Sequence, residues 1–158
     1  PVTVAEIMLS KIWTMGLVVL LASSFAITVV VQMALQVPVA GSVPLFIAAA
    51  ALMLFATTSM GIFLATMAGS MPQFGLLLML VLFPLQVLSG GMTPRESMPD
   101  IIRALMSLAP NTHFVILSQG VLFRDAGLGV VWPQLLALAV IGGVLFWLAL
   151  RQFRRFLA

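Results

Sequence analysis

The chain carries one histidine, four carboxylates and no cysteine, and their placement limits the chemistry open to it. Glu6 stands alone near the start, while Glu96, Asp100 and Asp125 share one later segment. No pair has metal-ligand spacing, and neither a phosphate-cradling loop nor a nucleophile motif is present. His113, in Asn111-Thr112-His113-Phe114, has the chemistry of a base or a pH sensor. The plainer expectation is an imidazole that caps or hydrogen-bonds locally. The reading is therefore not an enzyme: no catalytic, cofactor-binding or metal-binding residue is assigned. Without cysteine, disulfides and thiolate metal sites are excluded.

Uncharged polar residues are more suggestive. Ser24, Thr28, Gln32 and Gln36 recur every four residues, a slanting ridge on a helix. Such a ridge either lines a substrate path or hydrogen-bonds to a neighbouring helix. Thr57, Gly61, Ala65 and Gly69 form a ridge of small residues, expected to be a close-packing face. Pro84, followed by Gln86, frees a backbone carbonyl within an apolar stretch and predicts a bend there. The eleven methionines are read as apolar fill rather than as an adaptable binding surface.

The elements that position these residues follow from the solvent. From Ile12 to Pro94 no residue is Asp, Glu, Lys, Arg or His. A soluble fold needs charge on its outer face, whereas one charge at the centre of a spanning helix costs about 2.5–3.5 kcal/mol. With 63% hydrophobic and 7% charged residues, the chain is an integral membrane protein, and its expected fold class is all-α. The expectation is a polytopic helical bundle with spans at about 13–36, 44–68, 73–89 and 130–150. The 158 residues make a single transmembrane domain fragment. Pro1 is not a natural start, so the chain is read as the later part of a longer polypeptide. The turn Val37-Pro38-Val39-Ala40-Gly41-Ser42 closes the first span.

Between the third and fourth spans lies a longer loop. Ser97-Met98-Pro99-Asp100 reads as a helix start capped by Ser97, giving a short helix over about 97–109. Its apolar face would hold Met98, Ile101, Ile102, Leu105, Met106 and Ala109, with Asp100, Arg103 and Ser107 opposite. Pro110-Asn111 breaks it. A second stretch, about 113–123, is too short to cross and contains Ser118, Gln119 and Gly120; it is expected to be re-entrant or interfacial. Lys11 before the first span and Arg151, Arg154 and Arg155 after the last favour both ends on the cytoplasmic side. Trp13, Trp132 and Trp147 fall near span boundaries, where interfacial aromatics belong. A net charge of +3 from seven basic residues is a topology signal; no nucleic-acid partner is expected.

Leu88-Ser89-Gly90-Gly91, Thr93-Pro94, Glu96-Ser97-Met98-Pro99 and Pro110-Asn111-Thr112-His113-Phe114 follow one another in an order that resembles a known family. It is similar to the carboxy-terminal half of type-2 ATP-binding-cassette (ABC) exporter permeases. The likeness continues through Val121-Leu122-Phe123-Arg124 and Val130-Val131-Trp132-Pro133. Pro1 with Glu6-Ile7-Met8-Leu9-Ser10-Lys11-Ile12 resembles the exit from that family's cytoplasmic coupling helix. The chain departs from the pattern at Gln119-Gly120, where many relatives have Arg-Gly.

The resemblance implies a permease subunit of an ATP-driven exporter in a bacterial inner membrane, with this chain supplying spans three to six. It implies a second permease half, as homodimer or heterodimer, and a nucleotide-binding ATPase subunit that holds ATP and magnesium. Residues Val2 to Ser10 would lie beside the ATPase, with Glu6 and Lys11 at the polar edge of that contact. His113 and Gln119 would sit in the outer re-entrant segment. The path would carry amphiphilic or hydrophobic cargo, drug-like or lipid-like. The alternative is a membrane scaffold that assembles partners without transporting.

Overall fold

The structure, a computed structural model, describes residues 4–36 and 39–157. Pro1 and Val2, at the head of the expected coupling segment, and Val37-Pro38 of the expected first turn lie outside the described residues. Six α-helices and no strand are present among the described residues. They are α1 Val4–Phe25, α2 Val43–Met67, α3 Met71–Val87, α4 Asp100–Met106, α5 Pro110–Arg124 and α6 Leu128–Leu157. Three of the helical segments, Glu6–Ala34, Val43–Met67 and Leu128–Phe153, are long and apolar enough to cross a membrane; α3 is shorter at 17 residues. The all-α membrane bundle expected from composition is the fold observed.

The first helix changes winding halfway. From Ala26 to Ala34 it is a π-helix, closed by Leu35 N–H donating to Val30 O at 2.9 Å. Ile27, Thr28, Val29, Val30 and Val31 are consecutive β-branched residues, which crowd an α-turn at i+3 and i+4. The wider i→i+5 winding relieves that crowding. Helix α2 starts where Ser42 Oγ accepts from Leu45 N–H at 3.5 Å, with Pro44 in its first turn. The α2–α3 turn is closed reciprocally. Ser70 Oγ accepts from Gln73 N–H at 3.4 Å, while Gln73 Oε1 accepts from Gly69 N–H at 2.9 Å.

Helices α4 and α5 meet at 88°, the break falling at Pro110. The expected cap is corrected here. Ser97 lies in a 3₁₀ turn, Arg95–Ser97, where its Oγ donates to Pro94 O at 2.7 Å, and α4 begins at Asp100 without a side-chain cap. The expected apolar face is divided as well. Met98 and Ala109 are buried, whereas Ile101 and Leu105 are exposed, so α4 presents apolar surface outward, as an interfacial helix does. Helix α5 ends with Asp125 in the left-handed region (φ 50°) and Ala126 N–H donating to Gly120 O at 3.0 Å, the six-to-one bond of a Schellman turn.

The core is the seam of α2, α5 and α6. Ala49, Leu117, Val121, Val131 and Leu138 are its buried residues, and Phe46 stacks on Phe114 at 5.8 Å. Helix α2 pairs most extensively with α6, whereas α3 touches α2 and α5 only slightly and buries no residue. Large apolar side chains such as Leu76, Met79, Leu80 and Phe83 on α3 are exposed. In lipid that exposure is not penalised as it is in water, because the tails are as apolar as leucine. The bundle has two ends. At one, Ala40 N–H donates to Leu122 O at 3.1 Å, joining the 39–42 loop to α5. At the other, Lys11 and Phe153 share a cavity of about 250 Å³ with Ile62 and Thr66.

Candidate functional site

The four-residue polar ridge runs down α1 into the π-helix. Its hydroxyls turn inward on their own helix: Ser24 Oγ donates to Leu20 O at 2.8 Å and Thr28 Oγ1 to Ser24 O at 2.7 Å. Gln32 and Gln36 are exposed, and Gln36 stands beyond the π-helix at φ 52°. No helix–helix hydrogen bond reaches the ridge among the described residues. The ridge therefore faces away from the chain's own core, toward lipid or another polypeptide. An open apolar cavity of about 580 Å³ lies lower on the same helix pair, lined by Leu9, Trp13, Leu17, Leu20, Leu54 and Phe55.

Glu6 and Lys11 are brought to one end of the bundle. Both are exposed on α1, and Lys11 borders the 250 Å³ cavity near the last turns of α2 and α6. Arg151, in α6 at this end, lies over the Trp147 ring at 5.5 Å, an interfacial cation–π pair. His113 and Gln119 occupy α5 but not one site. His113 Nε2 donates to Ser107 O at 2.7 Å, a bond that ties the α4–α5 corner together as a local cap would. Gln119 is exposed and lines a separate cavity of about 610 Å³ with Arg95, Arg103 and Arg124.

On α2 the Gly61 and Ala65 positions of the small-residue ridge meet no close helix partner among the described residues. A Cβ at Gly61 would meet nothing within 4 Å, and Ala65 is exposed. The close approach is made on a different face, where Gly142 of α6 lies against Phe55 and Ala56. Both faces are apolar, and only the partner helix distinguishes them.

One polar cluster escaped sequence reasoning. Asn111 Nδ2 donates to Gln86 Oε1 at 3.0 Å, tying α3 to the start of α5. Asn111 Oδ1 and the fully buried Thr112 Oγ1 find no partner among the described residues. The signal was Gln86, two residues after Pro84 in an apolar helix. This amide pair is a principal tether of the loosely packed α3. Gln86→Leu and Asn111→Ala should show a coupling of about 1 kcal/mol in a double-mutant cycle on thermal unfolding of the full-length protein in detergent. Strictly additive losses would mean that the bond contributes nothing.

Comparison with known proteins is specific. The model of the family described as ABC-2 family transporter protein matches residues 1–151. The inner membrane transport permease YhhJ of Escherichia coli strain K12 is 56% identical over 155 residues, covering 98% of this chain and 41% of that protein. The probable multidrug ABC transporter permease YbhR of the same strain is 27% identical over 158 residues, covering 98% of this chain and 42% of that protein. The chain thus spans about 41% of the length of these curated relatives. No solved structure matches it.

Proposed function

The chain belongs to the ABC-2 transporter family, and from that premise we propose that it is part of the permease of an ATP-driven exporter in a bacterial inner membrane. The observation that carries this reading is the family match along residues 1–151 of a bundle whose polar ridge and apolar cavity are left uncovered by its own helices. A second permease half, a copy or a homologue, completes the path. ATP and magnesium belong to a nucleotide-binding partner rather than to this chain. The cargo is amphiphilic or hydrophobic: the cavity between α1 and α2 offers apolar walls and one hydroxyl, Ser10. Both ends of the chain face the cytoplasm in this arrangement, which sets Lys11 and Arg151 on the side favoured for basic residues.

The deciding experiment is ATP hydrolysis by the full-length protein purified gently from its native membrane. A stoichiometric ATPase whose turnover rises with lipophilic compounds is the expected result. Absence of both partner and hydrolysis would overturn the exporter reading in favour of a scaffold.

Glu6 and Lys11 are the residues proposed to border the ATPase contact. Glu6→Ala with Lys11→Ala should lower recovery of the ATPase on the purified permease by about tenfold, the loss expected when charged contacts worth roughly 1.5–3 kcal/mol are removed. Membrane insertion should be unaffected, since neither side chain is buried. Undiminished recovery would remove these two residues from the contact.

A further inference from the structure

The 610 Å³ cavity at the loop end of the bundle is rich in donors and poor in acceptors. It lies between the 89–96 loop, α4 and α5, and its charged lining is Arg95, Arg103 and Arg124 against Glu96 alone. Arg103 is held by Asp100 in the next turn back of α4. Arg95 and Arg124 have no carboxylate or carbonyl acceptor among the described residues, although Arg95 is half-buried. Gly90 and Gly91 also line the cavity, and their backbone N–H groups donate to nothing among the described residues.

Local backbone geometry builds this arrangement. Gly90 adopts φ +97°, and a Cβ there would stand 3.1 Å from Arg95 Cγ, so glycine lets the arginine stem fold back over the loop. A guanidinium with no protein acceptor leaves its five donors to be satisfied by oxygens from outside the chain. Phosphate oxygens match the planar donor fork of arginine better than a single-point acceptor does.

We propose that this cavity binds a phosphate or phosphodiester group, with Arg95 and Arg124 as its main ligands and the Gly90 and Gly91 amides as supporting donors. The surroundings favour the headgroup of an anionic phospholipid as its source. Met92, on the lining, is 76% exposed, and Ile101 of α4 and Phe123 of α5, the helices that carry Arg103 and Arg124, are 77% and 67% exposed, apolar surface on which acyl chains can lie. The site is separate from the α1–α2 cavity and does not depend on the transport reading.

The test uses the full-length protein in nanodiscs of phosphatidylglycerol and phosphatidylcholine, with retained lipid identified by native mass spectrometry. Wild-type protein should retain phosphatidylglycerol preferentially. Arg95→Gln with Arg124→Gln should reduce that retention by about tenfold or more, since each substitution removes a charge-assisted hydrogen bond to phosphate. Arg95→Lys with Arg124→Lys keeps the charges but not the donor fork and should retain more phosphatidylglycerol than the glutamine pair and less than wild type, a control that also guards against misfolding of the glutamine pair. Equal phosphatidylglycerol retention by the wild type and the glutamine pair, with millimolar inorganic phosphate also failing to bind, overturns the site. Arginine-dependent binding of inorganic phosphate without lipid preference supports the site and identifies its ligand as a soluble phosphate.

Discussion

Gly41→Ala should destabilise the full-length protein by about 3 kcal/mol, near the upper end for inserting one carbon into a packed site. The added Cβ would overlap the carbonyl oxygen of Val121, and it would stand 2.9 Å from the Val121 carbonyl carbon and 3.3 Å from its Cγ1. Backbone atoms of a helix cannot swing aside as a side chain can. Val121 is fully buried in the α2–α5–α6 seam, and the Ala40–Leu122 hydrogen bond fixes the spacing from the loop side. Relief therefore requires the 39–42 loop to part from α5. The measurement is thermal unfolding in detergent, with Gly16→Ala alongside. A Cβ at Gly16 meets nothing within 4 Å, and alanine favours the helix by about 1 kcal/mol, so that variant should match or exceed wild type. Equal melting of Gly41→Ala and wild type would show that the loop does not dock on α5 as described.

The contrast between Gly41 and Gly61 shows what sequence could and could not reveal. Hydropathy located the long helices, because lipid forbids charge and unsatisfied backbone whatever packs nearby, and the Pro110-Asn111 pair marked the break between α4 and α5. The order of motifs from Leu88 to Phe114 identified the family. Hydropathy did not say which face of a helix packs. In water a buried face differs in polarity from an exposed one, but in lipid both are apolar, so Thr57-Gly61-Ala65 and the Gly142 face look equally suited to close approach. The π-helix at Ala26–Ala34 was also hidden, although its β-branched run was plain to see, because the choice of winding rests on a small balance of crowding. In the sequence Arg95 and Arg124 stand far apart with no pattern that pairs them. Their convergence on one cavity depends on the fold of the 89–96 loop against α5, which no spacing rule encodes.

Gly142→Val should cost about 1–3 kcal/mol, and the cost should depend on Phe55. A Cβ at Gly142 would lie 2.9 Å from Phe55 Cδ1, 3.2 Å from Phe55 Cε1 and 3.2 Å from Ala56 Cβ. The phenyl ring leans on Phe146 at 5.5 Å between centroids and can turn away only toward the α1–α2 cavity that it lines, while Ala56 is fully buried on the same helix. Removing the ring with Phe55→Leu should recover about 1 kcal/mol of the Gly142→Val loss, the sign of two residues sharing one contact. Simple additivity would place the strain elsewhere. Gly143→Val, one residue along, meets nothing within 4 Å and should be close to neutral. Among the described residues the α2–α6 seam is the most extensive pairing, whereas α3 is attached at few points. A permease half that rocks against a partner needs a body that keeps its shape and outer helices free to meet other surfaces. Loss of transport in Gly142→Val, restored together with stability by Phe55→Leu, would mark the α2–α5–α6 seam as that body.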